Sequence, residues 1–236
     1  ERIFAAVTEQ AIKERKNPAF LAIGGGGFVF PRYLKQHWPA GKVDVVEIDP
    51  GVIRAATAAF GLEKNNGLNI FIMDGRNFVD DMVAKKQTEK DVPQYDLIYG
   101  DAYDNFSLPY QLATREFNEN IRGILKEDGF YMLNLVDIYN SGLVVGSVLN
   151  TLKQTFKNVY VVASTFGYYE RLTFVLIASS KTLDTGSLAA EISKYFPDIW
   201  LLTEAETETL KAKSKDIILT DDYSPMDNLA APVSIQ

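Results

Sequence analysis

The chain holds 236 residues with 31 acidic and 24 basic side chains, a net charge of −7, and this acidic balance disfavours nucleic acid and anionic membrane while suiting a cationic ligand. With no cysteine and one histidine, His37, a disulfide framework, thiolate chemistry and a zinc centre are all unsupported, and no metal is expected. No apolar run approaches a membrane span and no signal peptide is visible at the start, so the sequence reads as cytoplasmic.

The length fits one α/β domain over residues 1–236. Residues 2–16 read as an amphipathic helix: Ile3, Phe4, Val7, Ala11 and Ile12 recur at helical spacing with no capping residue ahead of them, so a longer protein is expected to precede Glu1. Asn17 and Pro18 break this helix. An apolar run from Ala19 then stops at the glycines Gly24, Gly25, Gly26 and Gly27 and passes into an amphipathic stretch at 28–38. Strand, tight turn and helix in that order open a nucleotide-binding βαβ unit. A second strand follows and ends in Glu47 and Asp49, at roughly the 20-residue spacing at which an acidic tip accepts the hydroxyls of a ribose. Asp49 and Pro50 are placed as N-cap and first residue of a helix that runs to Phe60 and ends at Gly61.

Residues 68–73 form the third strand, with Asp74 and Gly75 at its carboxyl end. Asp74 suits two roles equally, N-cap of a helix over 76–86 or acceptor for the exocyclic amine of an adenine, with Gly75 leaving space for the base. Residues 95–100 are the fourth strand, followed by the loop Asp101-Ala-Tyr-Asp104, a helix over 110–125 and a fifth strand at 130–136. A helix at 141–156 leads to two strands, 159–164 and 172–179, whose short connection carries Tyr168 and Tyr169. No crossover helix fits between them, so they must pair antiparallel. The tail adds helices near 188–195 and 204–213 and closes on Leu219-Thr-Asp-Asp-Tyr-Ser-Pro. Strands alternating with helices imply a parallel sheet whose ligands gather at the strand carboxyl ends. Glu47, Asp74, Asp101 and Asp104 all fall there. Seven strands, five of them parallel with a terminal antiparallel pair, describe the Rossmann-like sheet of S-adenosylmethionine-dependent methyltransferases.

The residues resemble the spermidine synthases, or polyamine aminopropyltransferases, from Glu1 through Val136. The likeness rests on Ile23-Gly-Gly-Gly26, Val46-Glu-Ile-Asp49, Asp74-Gly75, Asp101-x-x-Asp104, and Leu112-Ala-Thr-Arg-Glu-Phe117 ahead of Asp128-Gly129. The closing Leu219-Thr-Asp-Asp-Tyr-Ser-Pro resembles the branch in which such a domain is fused to membrane helices, so the full-length protein would be membrane-attached through other segments. The resemblance implies decarboxylated S-adenosylmethionine as cosubstrate. Gly24, Gly25 and Gly26 would line it, Glu47 would hold its ribose, Ile48 would lie against the base, and Asp74 with Gly75 would take the adenine. Asp101 would be the catalytic carboxylate. Asp104, Tyr103 and Tyr110 would bind a small cationic amine, putrescine in the type reaction, with Tyr139 also available for its methylene chain. The resemblance also implies self-association as a homodimer.

The chemistry suits these residue types. An alkylammonium must lose a proton before it attacks the carbon beside a sulfonium, and a carboxylate within hydrogen-bond reach serves as base. The charged sulfur is already a good leaving group, so what remains is alignment. Three features depart from the family. Gly27 stands where the family carries an acidic residue that serves the donor's amino group, the small amino-terminal strand domain is absent, and Phe106-Ser-Leu-Pro109 replaces a proline directly after the second aspartate. Two alternatives therefore accompany aminopropyl transfer: methyl transfer from ordinary S-adenosylmethionine, or a non-catalytic nucleoside-binding relative.

Overall fold

The apolar runs pair into one sheet because each is too hydrophobic to leave either face in water. The computed structural model describes residues 1–104, 107–164, 170–195 and 198–234. Strands β1 (Ala19–Ile23), β2 (Lys42–Glu47), β3 (Asn69–Ile72), β4 (Tyr95–Gly100) and β5 (Leu125–Ile138) run parallel, with β1 between β2 and β4. Strand β7 (Arg171–Ser179) lies antiparallel between β5 and β6 (Asn158–Ser164). The sheet has eight strands in the order β3-β2-β1-β4-β5-β7-β6-β8, one more than the sequence reading. The addition is β8 (Ile199–Leu201), which pairs antiparallel with β6. Three residues are too few to display a period of two. Tyr168 and Tyr169, placed by the sequence at the β6–β7 turn, lie outside the described residues.

Helices cover both faces. On one side α4 (Gly75–Thr88), α5 (Arg115–Ile124) and α6 (Leu143–Thr155) bury Phe78, Phe117, Val148 and Leu152 against β4 and β5. On the other, α1 (Arg2–Ala11), α2 (Val29–His37), α3 (Pro50–Ala59) and α7 (Thr185–Tyr195) bury Phe4, Leu34, Ala56 and Leu188. Each such fully buried Leu or Phe contributes about 1.5–3 kcal/mol.

Local chemistry sets the element ends. Asp49 caps α3 by accepting from the Gly51 N–H at 2.6 Å, with Pro50 following as expected. The helix read over 110–125 is two pieces, a 3₁₀ turn at Tyr110–Leu112 and then α5, because the Thr114 hydroxyl accepts from the Phe117 N–H and starts a new helix. Helix α1 stops at Ala11, short of the expected residue 16. At the amino ends of the strands the buried Asp96 accepts from the Ala19 N–H at 2.7 Å and from Lys126 Nζ at 2.9 Å, and it also pairs with Arg15. Beyond α8 (Glu204–Lys213), the segment after Pro225 folds as a further helix, α9 (Met226–Ser234), which the sequence reading did not anticipate. Among the described residues no helix is long and apolar enough to cross a membrane.

Candidate active site

The carboxyl ends of β1, β2, β3 and β4 open into a cavity of about 340 Å³. It lies where the strand order turns back on itself on either side of β1, the place a doubly wound sheet leaves open for a ligand. Of the residues singled out in the sequence, Gly24, Gly26, Glu47, Ile48, Asp74, Gly75, Asp101 and Tyr103 line it. Gly25 contributes through its backbone: its N–H donates to Glu47 Oε2 at 2.8 Å. The other oxygen, Oε1, accepts from the Asp49 N–H at 2.9 Å. Glu47, only 7% exposed, is thereby locked in one rotamer at the tip of β2, and each of its oxygens keeps a lone pair for a ligand hydroxyl.

Gly24 is required twice over. Its φ is +100°, and a Cβ there would stand 2.4 Å from the Asp101 carbonyl oxygen. Any other residue would push the β4 terminus, and Asp101 with it, away from the glycine loop. Gly75 lines the cavity and is also required by packing. A Cβ on it would meet Ile23 Cγ2 at 2.5 Å, so its smallness lets α4 seat against β1. The capping reading of Asp74 holds, Oδ1 accepting from the Asn77 N–H at 3.0 Å, and the residue also lines the cavity.

Asp101 follows β4, and its backbone N–H donates to the Ile23 carbonyl at 2.9 Å. Its Oδ1 accepts from Asn134 Nδ2 at 2.8 Å. Asn134 was missed in the sequence, although a lone amide inside the apolar run of β5 was a visible signal. Next to Asp101, the Tyr103 hydroxyl is enclosed and has no hydrogen-bond partner among the described residues. Burial, reinforced by the Asp101 charge, raises the Tyr103 pKa well above the ordinary tyrosine value, so it stands as a neutral O–H group.

Two expected contributors are elsewhere. Asp104 is exposed and is not among the described lining residues; its backbone exchanges hydrogen bonds with Ser107. Tyr110 is 58% exposed on the outer side of its 3₁₀ turn. Tyr139 is also absent from the lining and carries Lys213 Nζ 4.5 Å above its ring. The far wall instead comes from Pro109, Gln111 and Leu112. No lysine, arginine or histidine is among the described lining residues, so the ionisable groups facing the cavity are Glu47, Asp74, Asp101 and the neutral Tyr103. The Cβ direction of Gly27 points at Phe60 and Val29, with the Phe60 ring 3.3 Å away. Among the described residues no cluster of three His, Cys, Asp or Glu side chains is disposed to hold a metal ion.

The sequence profile of the spermine/spermidine synthase domain matches residues 5–187. The chain belongs to the spermine/spermidine synthase family. This family domain shares the α/β Rossmann-like methyltransferase fold of a probable spermidine synthase from Corynebacterium glutamicum, at a TM-score of 0.75 and 21% identity, over 95% of this chain and 81% of that one. It is 30% identical over 142 residues to the eEF1A lysine and N-terminal methyltransferase of Mus musculus, covering 60% of this chain and 20% of that protein. It is also 30% identical over 119 residues to the polyamine aminopropyltransferase of Vibrio vulnificus, covering 50% of this chain and 38% of that one. The synthase-family domain therefore spans a fifth to two fifths of these relatives. Its segment from 188 onward, with α8 and α9, lies beyond the family match.

Proposed function

We propose that this domain transfers an aminopropyl group from decarboxylated S-adenosylmethionine to a small cationic amine such as putrescine, giving spermidine and methylthioadenosine. One observation carries the reading: Glu47, Asp74 and Asp101 line the cavity, and among the described residues no cationic side chain does. Decarboxylated S-adenosylmethionine has a sulfonium and an ammonium but no carboxylate, and the acceptor is a cation, so both reactants are attracted to such a cavity. Ordinary S-adenosylmethionine brings a carboxylate that finds no cationic partner among the described lining residues.

In this reading Glu47 takes the ribose hydroxyls, Asp74 the adenine amine, and Ile48 covers the base. Asp101 accepts a proton from the acceptor ammonium. The freed nitrogen lone pair attacks the propyl carbon attached to sulfur, the C–S bond breaks, and the sulfur leaves as a neutral thioether. The new secondary amine carries the positive charge until it loses its second proton to solvent. Asn134 holds Oδ1 of the base and leaves Oδ2 to face the amine.

The test is transfer from each of the two donors to putrescine, with wild type and Asp101→Asn. The decarboxylated donor is expected to be preferred, and the variant to lose between 10² and 10⁴ of the rate, the usual range for a general base. Equal rates for the two proteins remove Asp101 from the mechanism.

The 30% identity to the mouse methyltransferase favours a second reading, methyl transfer from S-adenosylmethionine to an amine. The same carboxylates would serve, but the donor's carboxylate would then need the Gln111 amide or backbone N–H groups as its partners. Calorimetry with S-adenosylhomocysteine and methylthioadenosine separates the two: tighter binding of the former supports methyl transfer.

A further inference from the structure

The tail motif Leu219-Thr-Asp-Asp-Tyr-Ser-Pro takes no part in the chemistry above, yet it reaches the cavity through Arg76. This arginine directly follows Asp74 and Gly75, which form the adenine wall of the proposed site. Its guanidinium grips Asp221 with both arms, Nη1 to Oδ1 at 2.7 Å and Nη2 to Oδ2 at 2.6 Å, across 145 residues of chain. The same Nη1 donates to the Gln111 carbonyl at 3.0 Å and to the Thr114 hydroxyl at 3.2 Å. One side chain thus ties the Asp74–Gly75 wall to the Gln111–Leu112 wall, and Asp221 fixes the orientation of its planar fork.

The tail is itself anchored to the segment it holds. Leu219 donates its N–H to the Thr151 hydroxyl at 2.9 Å and accepts from the Arg115 N–H at 2.8 Å. The Asp221 N–H donates to Glu116 Oε2 at 3.0 Å, and the Ser224 hydroxyl reaches the Tyr110 carbonyl at 3.4 Å. A cation in the first turn of α4 opposes the helix dipole, which gives Arg76 a further need for its anionic partner. The hydrogen bond to Arg76 lowers the Asp221 pKa, so the pair stays ionised across the physiological range.

We infer that Asp221 is a positioning residue for the nucleoside site, acting through Arg76 to hold the two walls of the cavity at the separation the ligand needs. The inference rests on the reading of the cavity as a sulfur-nucleoside site. Asp221 touches no reacting atom. Its side chain is 43% exposed, and an exposed ion pair adds little to global stability. Its loss should therefore appear in ligand affinity rather than in folding.

The experiment compares wild type, Asp221→Asn and Arg76→Lys by calorimetry with methylthioadenosine, by thermal unfolding, and by turnover at saturating donor. Asp221→Asn is expected to weaken methylthioadenosine about tenfold and to raise the KM for the donor equally, with kcat and the melting temperature close to wild type. Arg76→Lys, which keeps the charge but loses the fork, should fall between the two; should Asp221→Asn fail to fold, the affinity of Arg76→Lys alone decides, and wild-type affinity in it overturns the inference. Wild-type affinity in both variants also overturns it, as does a loss of melting temperature with Kd unchanged. Failure of the wild-type chain itself to bind methylthioadenosine overturns the nucleoside reading, and this inference with it.

Discussion

Asn134 Nδ2 donates to Asp101 Oδ1 at 2.8 Å, so an amide from β5 holds the carboxylate that follows β4. The opposite amide orientation would set two acceptor oxygens against each other, so the donor is chemically determined. Oδ1 gives one lone pair to this bond, which fixes the orientation in which the carboxylate meets a substrate. Asn134→Leu is expected to leave methylthioadenosine affinity intact and to lower kcat 10- to 100-fold, since small displacements of a reacting group have effects of that size. Steady-state kinetics beside calorimetry check this, and an unchanged kcat separates Asn134 from the chemistry.

Tyr103 presents an enclosed hydroxyl without a partner among the described residues. A buried, unpaired hydroxyl costs about 1–3 kcal/mol, so Tyr103→Phe should be neutral or slightly stabilising in thermal unfolding. If the hydroxyl waits for the acceptor amine, the same variant raises the acceptor KM about tenfold while the donor KM holds. A stability loss with an unchanged acceptor KM would make Tyr103 a packing residue.

Asp96, with its side chain fully buried, satisfies the Ala19 N–H and the cations of Lys126 and Arg15. Arg15 and Lys126 are partly exposed and can rehydrate, so removing Asp96 chiefly strands the Ala19 N–H, at about 1–3 kcal/mol. Asp96→Ala should show that loss in urea unfolding. The cluster sits at the amino ends of the strands, remote from the cavity, so nucleoside affinity per folded molecule should not change.

Asp137 is fully buried, and its pKa is pushed up to about 6 by burial, against the opposing pull of the Val145 and Ile138 N–H groups and of Lys213. Between the ordinary value of 3.8 and about 6, the folded chain keeps a proton that the unfolded chain has released. Stability from this group is therefore greatest below pH 4 and falls by about 2–3 kcal/mol as pH rises through 6. Urea unfolding of wild type and Asp137→Asn at pH 4.5 and 7 measures it. The wild type should lose ground to the variant on going to pH 7, and parallel curves would refute the shift.

Much of the architecture could be read ahead of the structure because it depends on short-range patterning. The run at 95–100 became β4 without shifting a residue, and Asp49-Pro50 opened α3, since a cap acts on an N–H two residues away. The antiparallel pairing of β6 and β7 followed from a connection too short for a crossover. Strand β8 was hidden because its pairing with β6 is entirely tertiary, and the split at Thr114 because its hydroxyl competes locally with a continuous helix.

The amino-acid order alone settled the fold class, the glycine turn and the alignment of Glu47, Asp74 and Asp101 at strand ends. Periodicity and turn chemistry work over a few residues, and parallel strands bring their carboxyl ends to one rim. Folding in three dimensions decided which candidates face the cavity. It left Asp104 and Tyr110 exposed, recruited Asn134 from the next strand, and closed Arg76 on Asp221 across 145 residues. Side-chain direction and long-range pairing depend on packing between elements, and no local pattern in the chain encodes that packing.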